Sequence, residues 1–152
     1  MMDFDTVLKY ASLYVEVYEH PMTSRNKGLY MDGIVWLNKG LTSVDKACVL
    51  AEELGHHNTS VGNILDQSLI QNRKQEQLAR QWAYEFMIPL EKIVQAYHSH
   101  IQDRFQLAEF LGVTEEFLQA TIDRYTEKYG LFAQVNERYT VCFNPLGVIE
   151  IV

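Results

Sequence analysis

The chain has 152 residues, 47% of them hydrophobic, with a formal charge of −7 and a pI of about 5.2. That size suits one ordinary domain with a real core, and the acidity argues against a general affinity for nucleic acid, whose phosphates attract basic surfaces. The longest apolar stretches fall short of the roughly 20 residues that span a bilayer, the acidic N-terminus has no signal-peptide pattern, and Cys48 and Cys142 stand far apart. These features together predict a soluble, cytoplasmic protein with reduced thiols and no membrane partner.

Phe4, Val7, Leu8, Ala11, Tyr14 and Val15 recur at helical spacing, which predicts an amphipathic helix over residues 4–18 that ends near His20-Pro21. Residues 28–38 are rich in strand formers around Asp32-Gly33, a hairpin signal. Thr42 or Ser43 is placed to cap a helix over 43–58, and a loop is expected through residues 58–63. The next helix, 70–88, carries the apolar stripe Leu78, Ala79, Trp82, Ala83 and Phe86; Glu76 begins that face and Pro89 stops it. Trp82, Phe86 and Met87 read as core.

Three shorter helices are predicted near 90–98, 103–111 and 114–128, separated by His98–His100 and Gly112 and closed by Gly130. The tail from Leu131 reads as β, with Tyr139–Phe143 and Val148–Val152 flanking a turn over 144–147. Residues 106–118 have the cadence of a helix-turn-helix. Yet Glu115 and Glu116 open the second helix, and Asp123 and Glu127 follow against Arg124 and Lys128, an acidic face that phosphate would repel. A helix pair packed on the core is the better reading. One domain over 1–152 is expected, α+β and mainly helical, with a core at about 28–90 and a helical and β extension over about 91–152.

The chemistry concentrates in Glu52-Glu53-Leu54-Gly55-His56-His57. A zinc-peptidase helix carries His-Glu-x-x-His, with ligands at i and i+4 and a general base after the first. Here Glu52 stands in place of the first histidine. Residues four apart are rotated by only about 40°, so Glu52 and His56 can converge on one ion, while Glu53, about 100° from Glu52, suits a base that touches water. The shifted pair Glu53 and His57 would put Leu54 at the base position, so the first frame is preferred. A third ligand must come from a neighbouring element; Glu76 and Glu85 are the candidates, and periodicity puts Glu76 slightly ahead.

Over roughly residues 28–90 the chain resembles the ImmA/IrrE family of metallopeptidases. The family helix Leu-Ala-His-Glu-Leu-Gly-His corresponds to Leu50-Ala51-Glu52-Glu53-Leu54-Gly55-His56. A second family helix, Glu-x-x-Ala-x-x-Phe-Ala-x-x-Leu-Leu-Met-Pro, corresponds to Glu76 through Pro89. The resemblance implies a zincin-like fold, His56 and Glu76 as metal ligands with Glu52 in the place of the missing histidine, Glu53 as general base, and Zn2+ as the ion. It further implies a function in relieving repression, by cutting or displacing a helix-turn-helix repressor of a phage or mobile element.

Two carboxylates and one imidazole nearly neutralise a divalent ion, so its water should be a weaker acid than in a two-histidine site. The harder oxygen set also lowers discrimination for zinc over Mn2+ or another divalent ion. Slower hydrolysis and weak metal occupancy are expected. The alternative of a different class is a non-catalytic antirepressor, which keeps the fold and inactivates the repressor by docking.

Overall fold

A computed structural model describes residues 2–59, 69–101 and 103–151, without the side chains of 69–71. It divides into two compact units, Met2–Ala83 and Tyr84–Val152, with the boundary inside one helix.

In the first unit, helix α1 (Phe4–Ala11) begins at Asp3, whose carboxylate accepts the Thr6 amide at 2.9 Å. It buries Val7 and Ala11 and packs on the site helix α2 (Ser43–Thr59). The helix predicted to reach residue 18 ends at Ala11, and Glu16–His20 is instead strand β1. Tertiary pairing outweighs helical spacing here. Val15-Glu16-Val17-Tyr18 contains β-branched and aromatic residues that fit a pleated surface, and β1 runs parallel to β3, from Glu16 opposite Ile34 to His20 opposite Asn38.

Strands β2 (Gly28–Met31) and β3 (Ile34–Asn38) form the predicted hairpin, turning at Asp32 with φ 47° and Gly33 with φ 80°. Both values lie in the left-handed region that a two-residue hairpin turn requires. The strand order β1-β3-β2 leaves β2 at an edge. Val35 and Leu37 on central β3 are fully buried, and β3 and β2 both contact α2. Asn38 is also buried; its amide donates to the Asn26 carbonyl at 2.9 Å and accepts the Gly40 amide at 3.0 Å, which anchors the β1–β2 connection.

Thr42 is the residue that caps α2, accepting the Asp45 amide at 3.2 Å. Ala47 through Ala51 are all buried, as are Leu54 and Gly55, so α2 is covered on more than one face. Of the loop expected over 58–63, Asn58 and Thr59 still belong to the helix, their side chains bonding back to the Leu54 and Gly55 carbonyls. Residues 60–63 lie outside the described residues. Helix α3 (Leu69–Met87) follows. Its stripe is narrower than predicted: Ala79 and Ala83 are fully buried, but Leu78 is 49% exposed. Small side chains allow a closer approach at 79 and 83, and position 78 is turned about 100° from 79.

The second unit contains α4 (Leu90–His98), α5 (Arg104–Leu111) and α6 (Glu115–Tyr129), within a residue or two of the predicted limits. Asp103 and Thr114 cap α5 and α6 through the Gln106 and Phe117 amides, and Gly112, at φ 79°, ends α5. Helix α6 buries Phe117, Leu118, Thr121, Ile122 and Tyr125, as a packing helix should. The chain then forms an antiparallel meander, β4 (Phe132–Gln134), β5 (Tyr139–Phe143) and β6 (Leu146–Glu150). Strand β6 starts earlier than predicted because Leu146 already pairs with Phe143; the connecting Asn144–Pro145 bond is cis. The fold is α+β, and no helix among the described residues is long and apolar enough to cross a membrane.

Candidate active site

The site lies wholly in the first unit, and one glycine determines it. A Cβ on Gly55 would collide with the backbone of Ala79, so α2 and α3 touch main chain to main chain at this point. His56 follows Gly55, and Glu76 lies one helical turn before Ala79 on the same face of α3. Nε2 of His56 is therefore 2.9 Å from Oε2 of Glu76, with side-chain exposures of 20% and 44% that leave the pair open to a cleft. Arg80, one turn further along α3, approaches the other Glu76 oxygen at 3.4 Å.

A second glycine shapes the opposite wall. A Cβ on Gly28 would strike the Val49 side chain and lie 3.3 Å from Oε1 of Glu53, so edge strand β2 sits close against α2. The resulting cleft, about 370 Å³, is lined by Gly28 and Tyr30 on one side and by Glu53, His56 and Glu76 on the other. Another cavity, about 290 Å³, lies in the second unit among apolar residues such as Ile93 and Leu118. It contains none of the residues predicted to carry chemistry.

Burial pushes the Glu53 carboxyl up to about 7, with Glu52 and Glu76 adding to the rise and His56 opposing it. Glu52 is raised as well, first by burial and then by Glu76, against the pull of Arg80, Lys27 and His56. The hydrogen bond to Glu76 raises His56, and the same bond lowers Glu76. Three carboxylates thus crowd one imidazole. Glu53 faces the cleft as a base should, whereas Glu52 is half-buried and does not line it. Glu85, the other ligand candidate, is bonded to Lys128 at 2.6 Å in the second unit. His57 is engaged by Tyr30.

Among the described residues no three His, Cys, Asp or Glu side chains form a ready metal-ligand group. Two donors do converge. The 2.9 Å between His56 and Glu76 is closed here by a proton, and donors sharing one zinc at bonds near 2 Å stand about 3 Å apart as well. In chemistry the donors fit a divalent cation, because mutually repelling carboxylates beside an imidazole are relieved by positive charge. Sequence reasoning missed Tyr30 and the role of Gly55. Strand alternation carried a signal for Tyr30, which shares the helix-facing side of β2 with Gly28.

The sequence matches the family model of the IrrE N-terminal-like domain, a peptidase family, over residues 11–123. That span reaches well beyond the two motif helices at both ends. No curated protein matches the chain. Among solved structures it is similar to a Mycobacterium tuberculosis transcriptional regulator, with a TM-score of 0.59 and 15% identity over 81% of this chain and 40% of that one. The likeness is one of fold, and the chain spans less than half of that regulator.

Proposed function

As the chain belongs to the peptidase family of the IrrE N-terminal-like domain, we propose that it is a metal-dependent endopeptidase of the bacterial cytoplasm that relieves repression by cutting a helix-turn-helix repressor of a phage or mobile element. The observation that carries this reading is that Glu53, His56 and Glu76 share one cleft along the edge strand β2. His56 and Glu76 are the groups that would hold Zn2+ or a substitute such as Mn2+, and Glu52, set back from the cleft, would have to turn toward the ion to serve as the third donor. A bound ion supplies Lewis acidity toward a peptide carbonyl.

The chain's own residues do the rest. Glu53, at about 7, changes protonation near neutrality, so it can take a proton from attacking water and return it to the departing amine. Strand β2, outermost in its sheet among the described residues, offers backbone groups to an extended segment of substrate, which would lie across the Glu53 side of the cleft. A net charge of −7 favours encounter with a basic, DNA-binding partner. Similarity in fold to a transcriptional regulator supports a place in gene control.

A second reading, the non-catalytic antirepressor that docks on its partner, is favoured by one observation. The described residues gather two donors and not three, and these two bond each other. The variant Glu53→Gln, mixed with a candidate helix-turn-helix repressor, separates the readings: lost cleavage with retained binding is expected. Relief of repression by folded Glu53→Gln would sink the hydrolytic account and leave docking. Elemental analysis of wild type, His56→Ala and Glu76→Ala, each incubated with zinc and with manganese, tests the ligands. Weak binding lost in both variants is expected, and tightly held stoichiometric zinc without added metal would contradict the consequence drawn from Glu52.

A further inference from the structure

The wall of the cleft opposite α3 carries a hydrogen-bonded pair that the reaction above does not use. Tyr30, on β2, lines the cleft, and its hydroxyl lies 2.7 Å from Nδ1 of His57. The two rings meet edge to face, centroids 5.6 Å apart at 72°. The Gly33 amide donates to the same hydroxyl at 3.2 Å. The direction of the bond depends on the tautomer of His57; we take the phenol as the donor to Nδ1, because the Gly33 amide already donates to its oxygen and its one proton then also has a partner. Nδ1 of neutral His57 is then an acceptor, and the ring proton sits on Nε2.

This chain of bonds begins in the hairpin turn. Gly33 and Asp32 hold left-handed conformations, so the amide that meets Tyr30 is positioned by the tightest part of the sheet. It ends on α2, at the residue next to His56. His56 and His57 share one turn of α2, so a bond that fixes the side chain of one limits the movement of the other. A bond from β2 to His57 restrains that turn against the sheet.

We propose that Tyr30 is a positioning residue of this site: through His57 it straps edge strand β2 to the turn of α2 that carries His56 and holds His56 in its orientation toward Glu76. The proposal rests on reading the cleft as the site of a protein chain, but its test involves no hydrolysis. Long-range 1H–15N spectra of the 15N-labelled full chain at pH 8, where an ordinary imidazole is neutral, report the tautomer of each histidine. Wild-type His57 is expected as the Nε2–H tautomer.

Tyr30→Phe keeps the ring and removes the hydroxyl; His57 should move to a tautomer mixture and the His56 ring resonances should shift with it. His57→Ala should reproduce the His56 shift, while His57→Asn, whose side-chain oxygen stands near the lost Nδ1, should restore the wild-type position. The ring is absent from both His57 variants, so the difference between them reports the bond. His57 found as Nδ1–H, or His56 unmoved in Tyr30→Phe and His57→Ala, overturns the proposal. Should Tyr30→Phe fail to fold, the two His57 variants carry the same test. A negative result here leaves the peptidase reading to Glu53→Gln, and failure of that reading leaves the strap measurable.

Discussion

In Met2–Ala83 the polar groups withdrawn from water around the site are ionisable and crowded, whereas in Tyr84–Val152 they are mostly neutral and paired. Burial raises Glu52 and Glu53 in the first unit, each further raised by a neighbouring carboxylate. In the second, Thr121 donates to the Phe117 carbonyl at 2.8 Å and Tyr125 to that of Ile88 at 2.6 Å, with Nε of Arg124 the exception. A satisfied polar group adds modestly to stability, while a half-buried carboxylate near its own kind detracts from it. Such groups persist where they serve chemistry. The contrast marks Met2–Ala83 as the unit that carries the candidate site.

The sharpest way to break the contrast is at Gly55. Gly55→Ala puts a Cβ into the Ala79 backbone, so α2 and α3 must separate; a loss of about 3 kcal/mol in urea unfolding is expected, as for other overpacked cores. Disappearance of the His56–Glu76 contact from the histidine spectra should accompany it. An unchanged midpoint would mean that the helices do not meet at this glycine.

Next in size is the pH dependence of Glu53. Its folded value of about 7 exceeds the ordinary 4.5, so ionisation opposes folding. The penalty is absent below about pH 4.5, where both states are protonated, grows as the pH rises toward about 7 and is complete above that. Glu53→Gln should therefore be more stable than wild type by about 3 kcal/mol at pH 8 and equal to it near pH 4. A constant difference across that range would remove Glu53 from the buried cluster.

Smaller effects sharpen the other side. Tyr125→Phe leaves the Ile88 carbonyl without its buried partner and should cost about 1 kcal/mol in urea unfolding; an unchanged midpoint would mean that this bond is not made. Leu78→Ser, at a residue 49% exposed, should change stability by less than about 0.5 kcal/mol. A loss of several times that size would restore Leu78 to the packed stripe that periodicity predicts.

Much of this was legible from local chemistry. The hairpin at Asp32-Gly33, a cap at Thr42 or Ser43, the helices on either side of Gly112 and the stop at Pro89 each depend on a few adjacent residues. What failed was where distant partners compete with local preference. Residues 16–20 have side chains at helical spacing but gain more by pairing with β3. Leu78 belongs to an apolar pattern, yet α3 meets Gly55 of α2 through the backbone of Ala79, and Leu78, about 100° further round, stays half-exposed.

By itself the sequence determined the metallopeptidase-like α+β class, the spacing that makes Glu53 and His56 candidates, and the pairing of two motif helices in order, since all of these are periodicities along one chain. Only the tertiary structure decided that His56 meets Glu76 and not Glu85, that Glu53 faces the cleft while Glu52 stands back from it, and that Tyr30 reaches His57. Those are distances between elements. They follow from how closely two backbones can approach, and here that was set by the missing side chains of Gly28 and Gly55.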